Sequence, residues 1–174
     1  MLPAGRIAIK GTWWRIVRGG ADPFHWSPDP ADGRWQTGAV VRGFYLAGTE
    51  ETAWAEWYRH ASELGVPPAQ RMPRDRWRVA VNLADIGDLS EMTTLRLHGL
   101  TELVPTRRQW PATQPIGEAY YRDGARGILT PSAAHVGGRV LTVFRPLPSL
   151  PGLRSIGAAT TYTELPPLPT GLRT

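Results

Sequence analysis

The order in which β-like and helical runs follow one another constrains this chain most. Two β-branched and aromatic runs come first, Gly11–Val17 and Val40–Ala47, the second interrupted at Gly43. A helical run follows from Thr49 to about Leu64. Thr49 is a good N-cap, Glu50 and Glu51 suit the first turn, and Gly65 with Pro67-Pro68 stops it. Trp77–Leu83 alternates as a strand ending at Asp85, whereas Leu89–Leu103 has no decisive period. Pro115 is placed in the first turn of a short helix through Arg122, closed by Asp123-Gly124. Gly127–Thr130 and Val140–Phe144 read as short strands. Strands and helices do not alternate, which argues against a doubly wound parallel sheet and for an α+β fold.

At 174 residues, 41% of them hydrophobic, the chain fits one domain with an ordinary core. With no cysteine it has neither disulfides nor thiolate metal ligands. The four residues Ile7–Lys10 are too short for a signal-peptide core, and no run approaches a membrane span, so the expectation is a soluble cytoplasmic protein. The formal charge is +5, and all basic residues but Lys10 are arginine. Arginine suits bidentate phosphate binding, although coding bias also produces such a balance. Nineteen glycines and seventeen prolines make the chain loop-rich. They are densest from Pro146 to Pro169, where extended irregular structure and a loose end after Pro166 are expected.

A few residues could carry chemistry. On a helical wheel Ala53, Trp54, Trp57, Ala61 and Leu64 form the buried side, and Glu56 sits on its flank beside His60. Such a glutamate is either a solvated flank charge or a carboxylate facing a cleft between helix and sheet. Arg34 follows Gly33 and precedes Trp35; if Trp35 anchors the segment, Arg34 points the other way. Arg15 interrupts an apolar strand, and a half-buried arginine requires an anionic partner, from Asp or Glu or from a ligand phosphate. Tyr45 is either core packing or an aromatic surface for a planar ring. Ser132 follows Pro131 without the Gly-x-Ser-x-Gly setting of a hydrolase nucleophile. No Walker loop or dinucleotide fingerprint is present, and the four histidines lack metal-ligand spacing.

In this order and spacing, the chain resembles the RES domain family, named for its arginine, glutamate and serine. The resemblance runs from about Trp14 to Phe144. Trp14-Arg15-Ile16 is similar to the family's opening strand, and Gly33-Arg34-Trp35 with Gly38 to its Gly-Arg-Trp-Asn-x-x-Gly signature, with Gln36 in place of the asparagine. Tyr45-Leu46-Ala47 with Ala53 and Glu56 resembles its Tyr-x-Ala strand and glutamate helix. Thr113-Gln114, Gly117-Glu118 and Gly127–Ala133, which contains Pro-Ser-Ala, resemble its C-terminal half.

The resemblance implies an ADP-ribosyltransferase-like α+β fold, with small twisted, mainly antiparallel sheets and flanking helices. This domain is expected over 1–145, with 146–174 as a proline-rich extension packed on it or trailing from it. The implied activity is that of an NAD-consuming toxin, a glycohydrolase or phosphorylase; ADP-ribosyl transfer to a protein shares the same pocket. Arg34, Tyr45 and Glu56 take the nucleotide-binding, ring-stacking and catalytic places, and Arg15 and Ser132 line the same pocket. NAD is the implied substrate, with no metal. The implied partner is a Xre-type helix-turn-helix antitoxin, through which any contact with nucleic acid would run; a homodimer stays open, and no membrane is involved. The rival from another class is a non-enzymatic nucleic-acid-binding module using the arginines and eight tryptophans.

Overall fold

A computed structural model describes residue 2 and residues 5–174 of the chain; Met1, Pro3 and Ala4, the start of the domain expected over 1–145, lie outside the described residues. Ten elements follow in the order β1 (Arg6–Arg18), β2 (Arg42–Ala47), α1 (Glu50–Glu63), β3 (Arg74–Asp88), α2 (Met92–Leu97), α3 (Trp110–Arg122), β4 (Gly127–Pro131), β5 (Arg139–Arg145), β6 (Leu153–Ser155) and β7 (Thr160–Tyr162). Short 3₁₀ turns at Pro68–Arg71 and Arg107–Gln109 lead into β3 and α3. The fold is α+β, and its strands form one seven-stranded, mostly antiparallel sheet rather than several small ones. No helix among the described residues is long and apolar enough to cross a membrane.

The strand pairings close into a circuit. β1 meets β2 at Trp14 and Ala47, β2 pairs with β5, β5 with β4, β4 with β3, and β3 returns to β1 along nearly its whole length. Among the described residues only β3 and β4 are parallel, and the long crossover that a parallel pair needs is supplied by α2 and α3. Inside the circuit Trp13, Phe44, Leu46, Val79, Val81, Leu83, Leu129, Leu141 and Val143 form one apolar cluster. A second cluster joins α2 and α3 to the sheet through Trp35, Leu95, Ile116, Tyr120, Ile128 and Phe144. A third packs Trp54, Trp57 and Tyr58 of α1 against Ile16, Tyr162 and Leu172.

The α1 signals act as expected: Thr49 Oγ1 accepts from Thr52 N, Glu50 and Glu51 occupy the first turn, and Gly65 follows at positive φ. Leu64 is the exception on the expected buried side; as the C-cap it has left the helical wheel and is exposed. The strand expected to end at Asp85 continues to Asp88. Asp85 adopts φ 59°, which aspartate tolerates, at a bulge where the register with β1 shifts. Pro115 lies inside α3, not in its first turn; Pro111 holds the early position instead.

The region from Pro146 to Pro169 is more ordered than its prolines suggest. Leu153–Ser155 and Thr160–Tyr162 contain none and add to the β3 edge that β1 leaves free. The end after Pro166 is tied down rather than loose. Tyr58 Oη donates to Pro166 O at 2.5 Å, Val136 N to Gly171 O at 3.1 Å, and Arg173 N to Ala134 O at 2.7 Å.

Candidate active site

Glu56, on α1, lines two adjoining hollows of about 350 and 240 Å³. Both hollows are lined by Tyr45, Glu56, Arg59, His60 and Val140. The larger continues between Trp14, Arg15, Ala47 and Trp57, the smaller between Gly33, Arg34, Arg107, Trp110 and Pro131. Arg34, Tyr45, Glu56 and Arg15 therefore border one cleft, and Ser132 reaches it through its bond to Glu56. The flank position read from the helical wheel is the one that faces the cleft.

Both carboxylate oxygens of Glu56 are held. Oε1 accepts from Ser132 Oγ at 2.7 Å, and Oε2 accepts from Arg59 Nε at 3.1 Å. Arg59 also pairs with Glu63 at 2.8 Å and donates to Pro105 O at 3.2 Å, so its side chain is itself fixed. Arg59 lies three residues after Glu56 and four before Glu63, the spacing at which charges meet along a helix. That spacing is the signal by which Arg59 could have been found from the sequence, and it was missed.

Arg34 is buried together with Trp35 rather than turned away to the surface (8% and 1% exposed). Nη1 donates to Gln109 Oε1 at 3.0 Å, while Nη2 is buried without a partner. No carboxylate among the described residues stands within ion-pair distance of it. Burial pushes the Arg34 guanidinium below the usual arginine range and Arg59 adds to this; Glu56 and Glu63 counter it.

α3 holds the loop that carries Arg34. Thr113 Oγ1 donates to Arg34 O at 2.5 Å and Gln114 Nε2 to Gly33 O at 3.0 Å. Glu118 Oε1 accepts from Thr37 N at 2.9 Å and from Thr37 Oγ1 at 2.7 Å. A Cβ on Gly117 would collide with the Trp35 carbonyl, so glycine alone allows this approach. The Thr113-Gln114 and Gly117-Glu118 pairs of the sequence thus form one helical face that grips residues 33–37.

The Tyr45 hydroxyl donates to Gln36 Oε1 at 2.6 Å and accepts from Trp35 N at 3.3 Å, and burial raises it above the usual tyrosine range. Gln36 in turn donates to Ala31 O at 3.2 Å, so its amide serves at both ends. A Cβ at Gly33 would meet the Tyr45 hydroxyl, which explains the glycine before Arg34. Arg15 has no carboxylate partner among the described residues. It donates to Tyr45 O at 2.9 Å, lies 4.2 Å above the Phe44 ring, and keeps Nε without a partner. Burial, and then Arg145, push it down to about 10. The residues that spacing could not reveal are Arg107 and Trp110, which line the smaller hollow where the 3₁₀ turn runs into α3, and Gln109 of the same turn, which accepts from Arg34.

The RES domain model matches residues 12–163. A probable NAD(+) phosphorylase of Mycobacterium tuberculosis strain H37Rv is 34% identical over an alignment 157 residues long that covers 87% of this chain and 73% of the relative. A chain in the crystal structure of the M. tuberculosis MbcT–MbcA toxin–antitoxin complex superimposes with a TM-score of 0.74 at 22% identity, covering 91% of this chain and 87% of that one. The chain belongs to the RES domain family.

Proposed function

We propose that this protein cleaves the nicotinamide–ribose bond of NAD, with water or phosphate as acceptor. In this reading it is the toxin of a pair whose other member is a Xre-type helix-turn-helix antitoxin, and it works in the cytoplasm. Membership of the RES family and the relative's name, probable NAD(+) phosphorylase, support the reaction; the shared fold with a toxin–antitoxin complex supports the setting. The observation that carries the reading is the cleft itself, where a fixed carboxylate faces an arginine with an unused donor.

The bond between ribose C1′ and the nicotinamide nitrogen breaks, and its electron pair leaves with neutral nicotinamide. The acceptor oxygen then takes its place on C1′, and a water acceptor gives up one proton to solvent. Positive charge builds on the ribose as the bond opens, as in glycoside cleavage. Glu56 stabilises that charge, and because Ser132 and Arg59 already hold its oxygens, little reorganisation is needed at that moment. Arg34 and Arg15 neutralise the pyrophosphate, and an anion would offset the cost of their unpaired nitrogens. The Tyr45 ring, locked by Gln36 and Trp35, offers the flat surface against which nicotinamide rests.

The test is chromatography of NAD after incubation with pure protein, with and without phosphate. Nicotinamide release in both arms marks a glycohydrolase. Release that requires phosphate, with ADP-ribose 1″-phosphate as co-product, marks a phosphorylase. NAD that stays intact in water, in phosphate and in cell extract overturns the reading.

A further inference from the structure

The Ser132 hydroxyl has one hydrogen and two lone pairs. Its oxygen accepts from Ala134 N at 3.1 Å and from His135 N at 3.0 Å. With the acceptor sites taken, the hydrogen is left for Glu56 Oε1 at 2.7 Å. How firmly the serine points at Glu56 therefore depends on how firmly the 132–138 loop holds the two amides.

The His135 side chain fixes that loop. Its Nε2 lies 3.0 Å from Thr170 O, and a carbonyl only accepts, so Nε2 carries the proton. In the neutral imidazole, Nδ1 then accepts from Thr52 Oγ1 at 2.8 Å, and Thr52 stands in the first turn of α1 beside its cap, Thr49. The ring thus joins the start of α1 to the C-terminal segment, with its own backbone N–H on Ser132. Two further bonds, Val136 N to Gly171 O and Arg173 N to Ala134 O, bind the same loop to that segment. Gly138 leaves room for the arrangement: a Cβ there would stand 2.6 Å from Thr52 Oγ1 and 2.9 Å from His135 Nδ1.

We propose that His135 is a positioning residue for NAD cleavage, acting through Ser132 on Glu56. The proposal rests on the reading of Glu56 as the reacting carboxylate. His135 itself touches neither hollow of the cleft. Its effect is to keep the Ala134 and His135 amides on the serine oxygen, and so to keep the serine proton on the carboxylate. It also gives residues 170–173, which lie beyond the matched family segment, a mechanical part in the site.

The experiment compares His135→Phe, Thr52→Val and Ser132→Ala, singly and with His135→Phe or Thr52→Val placed in the Ser132→Ala background. Each single change is expected to lower kcat about tenfold, with KM for NAD within about twofold. In the Ser132→Ala background, His135→Phe is expected to change kcat by less than about twofold, because the route it acts through is already cut. His135→Gln, which keeps a donor for Thr170 O, is expected to recover part of the loss. Equal losses in both backgrounds, or no loss in the single variants, overturn the proposal. Should His135→Phe fail to fold, Thr52→Val alone and in the serine background decides in the same way. If the wild-type protein leaves NAD intact, the reading of the reaction fails separately. The relay is then judged by the Glu56 carboxyl ¹³C resonance, assigned by its loss in Glu56→Gln: a shift in His135→Phe at fixed pH supports the relay, and an unmoved resonance overturns it.

Discussion

The two poles of the cleft are built in opposite ways. At the acidic pole both oxygens of Glu56 have partners, and those partners are fixed in turn by the 132–138 loop, by Glu63 and by the Pro105 carbonyl. At the basic pole Arg34 is buried and Arg15 half-buried, each with one buried nitrogen unpaired and with no carboxylate within ion-pair distance among the described residues. A carboxylate that is complete before substrate arrives is preorganised to meet charge that develops during the reaction. A guanidinium left incomplete is suited to a ligand that brings its own anion.

The contrast is broken most directly at Glu56. Glu56→Gln keeps the shape and removes the charge, so kcat for nicotinamide release should fall about 10²–10³-fold, as when another preorganised electrostatic group is lost. Thermal unfolding measured alongside should change little. Activity within tenfold of wild type would mean that the charge is not what the ordered pole supplies.

Arg34→Ala should act on binding instead. Charge-assisted hydrogen bonds contribute about 1.5–3 kcal/mol, so NAD affinity should weaken roughly 10–150-fold in a calorimetric titration. A loss confined to kcat at unchanged affinity would reverse the assignment of the two poles.

Where these poles lie was partly legible in the sequence, and the division follows physical range. The signals around Glu56 are local: the Thr49 cap, the two acidic residues of the first turn and the apolar stripe whose flank Glu56 occupies all act within a few residues of chain. The register of α1, and hence the direction of Glu56, was fixed by them. Arg34 was harder, because what buries it is α3, some eighty residues later, through Thr113, Gln114, Gly117 and Glu118. Composition alone gives an arginine beside a tryptophan a surface position. The proline-rich end misled for a related reason. The prolines stand before β6 and after β7, whereas the strands themselves exist because β3 offers an unpaired edge. The hydrogen bonds of Pro166, Thr170 and Gly171 reach α1 and the serine loop, which no local rule connects with them.

Tyr45→Phe sharpens the comparison at the border between the poles. The change keeps the ring but removes a bond to the buried Gln36 amide and an acceptor for Trp35 N. Stability should fall by about 1–3 kcal/mol, a Tm loss of roughly 2–4 °C for each kcal/mol. NAD affinity should stay within a few-fold if the ring face is what the substrate uses. A large loss of affinity with unchanged Tm would show that the hydroxyl, not the face, meets the ligand.

The smallest expected effect concerns pH, and it falls on the support of the basic pole. Burial pushes the Glu118 carboxyl up, but its two bonds from Thr37 and the nearby Arg122 outweigh this and leave it below the usual glutamate range. A depressed carboxyl contributes stability that is present above its unfolded value and lost as pH falls through its folded one. His60, at the cleft, works in the same direction. Burial, then Arg71, Arg59 and Arg107, hold it below the usual histidine range, so the unfolded chain takes up its proton first as pH falls below about 6.5. The two windows are separate: the His60 contribution goes between its unfolded and folded values, and the Glu118 contribution goes lower, in the carboxylate range. A Tm-against-pH curve should therefore fall in two steps on the acid side. Glu118→Gln should lower the neutral-pH plateau by about 1 kcal/mol and flatten the lower step, and His60→Gln should flatten only the upper one. Were the lower step to survive Glu118→Gln unchanged, the grip of α3 on the Arg34 loop would not depend on that carboxylate, and the basic pole would be held by Thr113, Gln114 and the close contact at Gly117 alone.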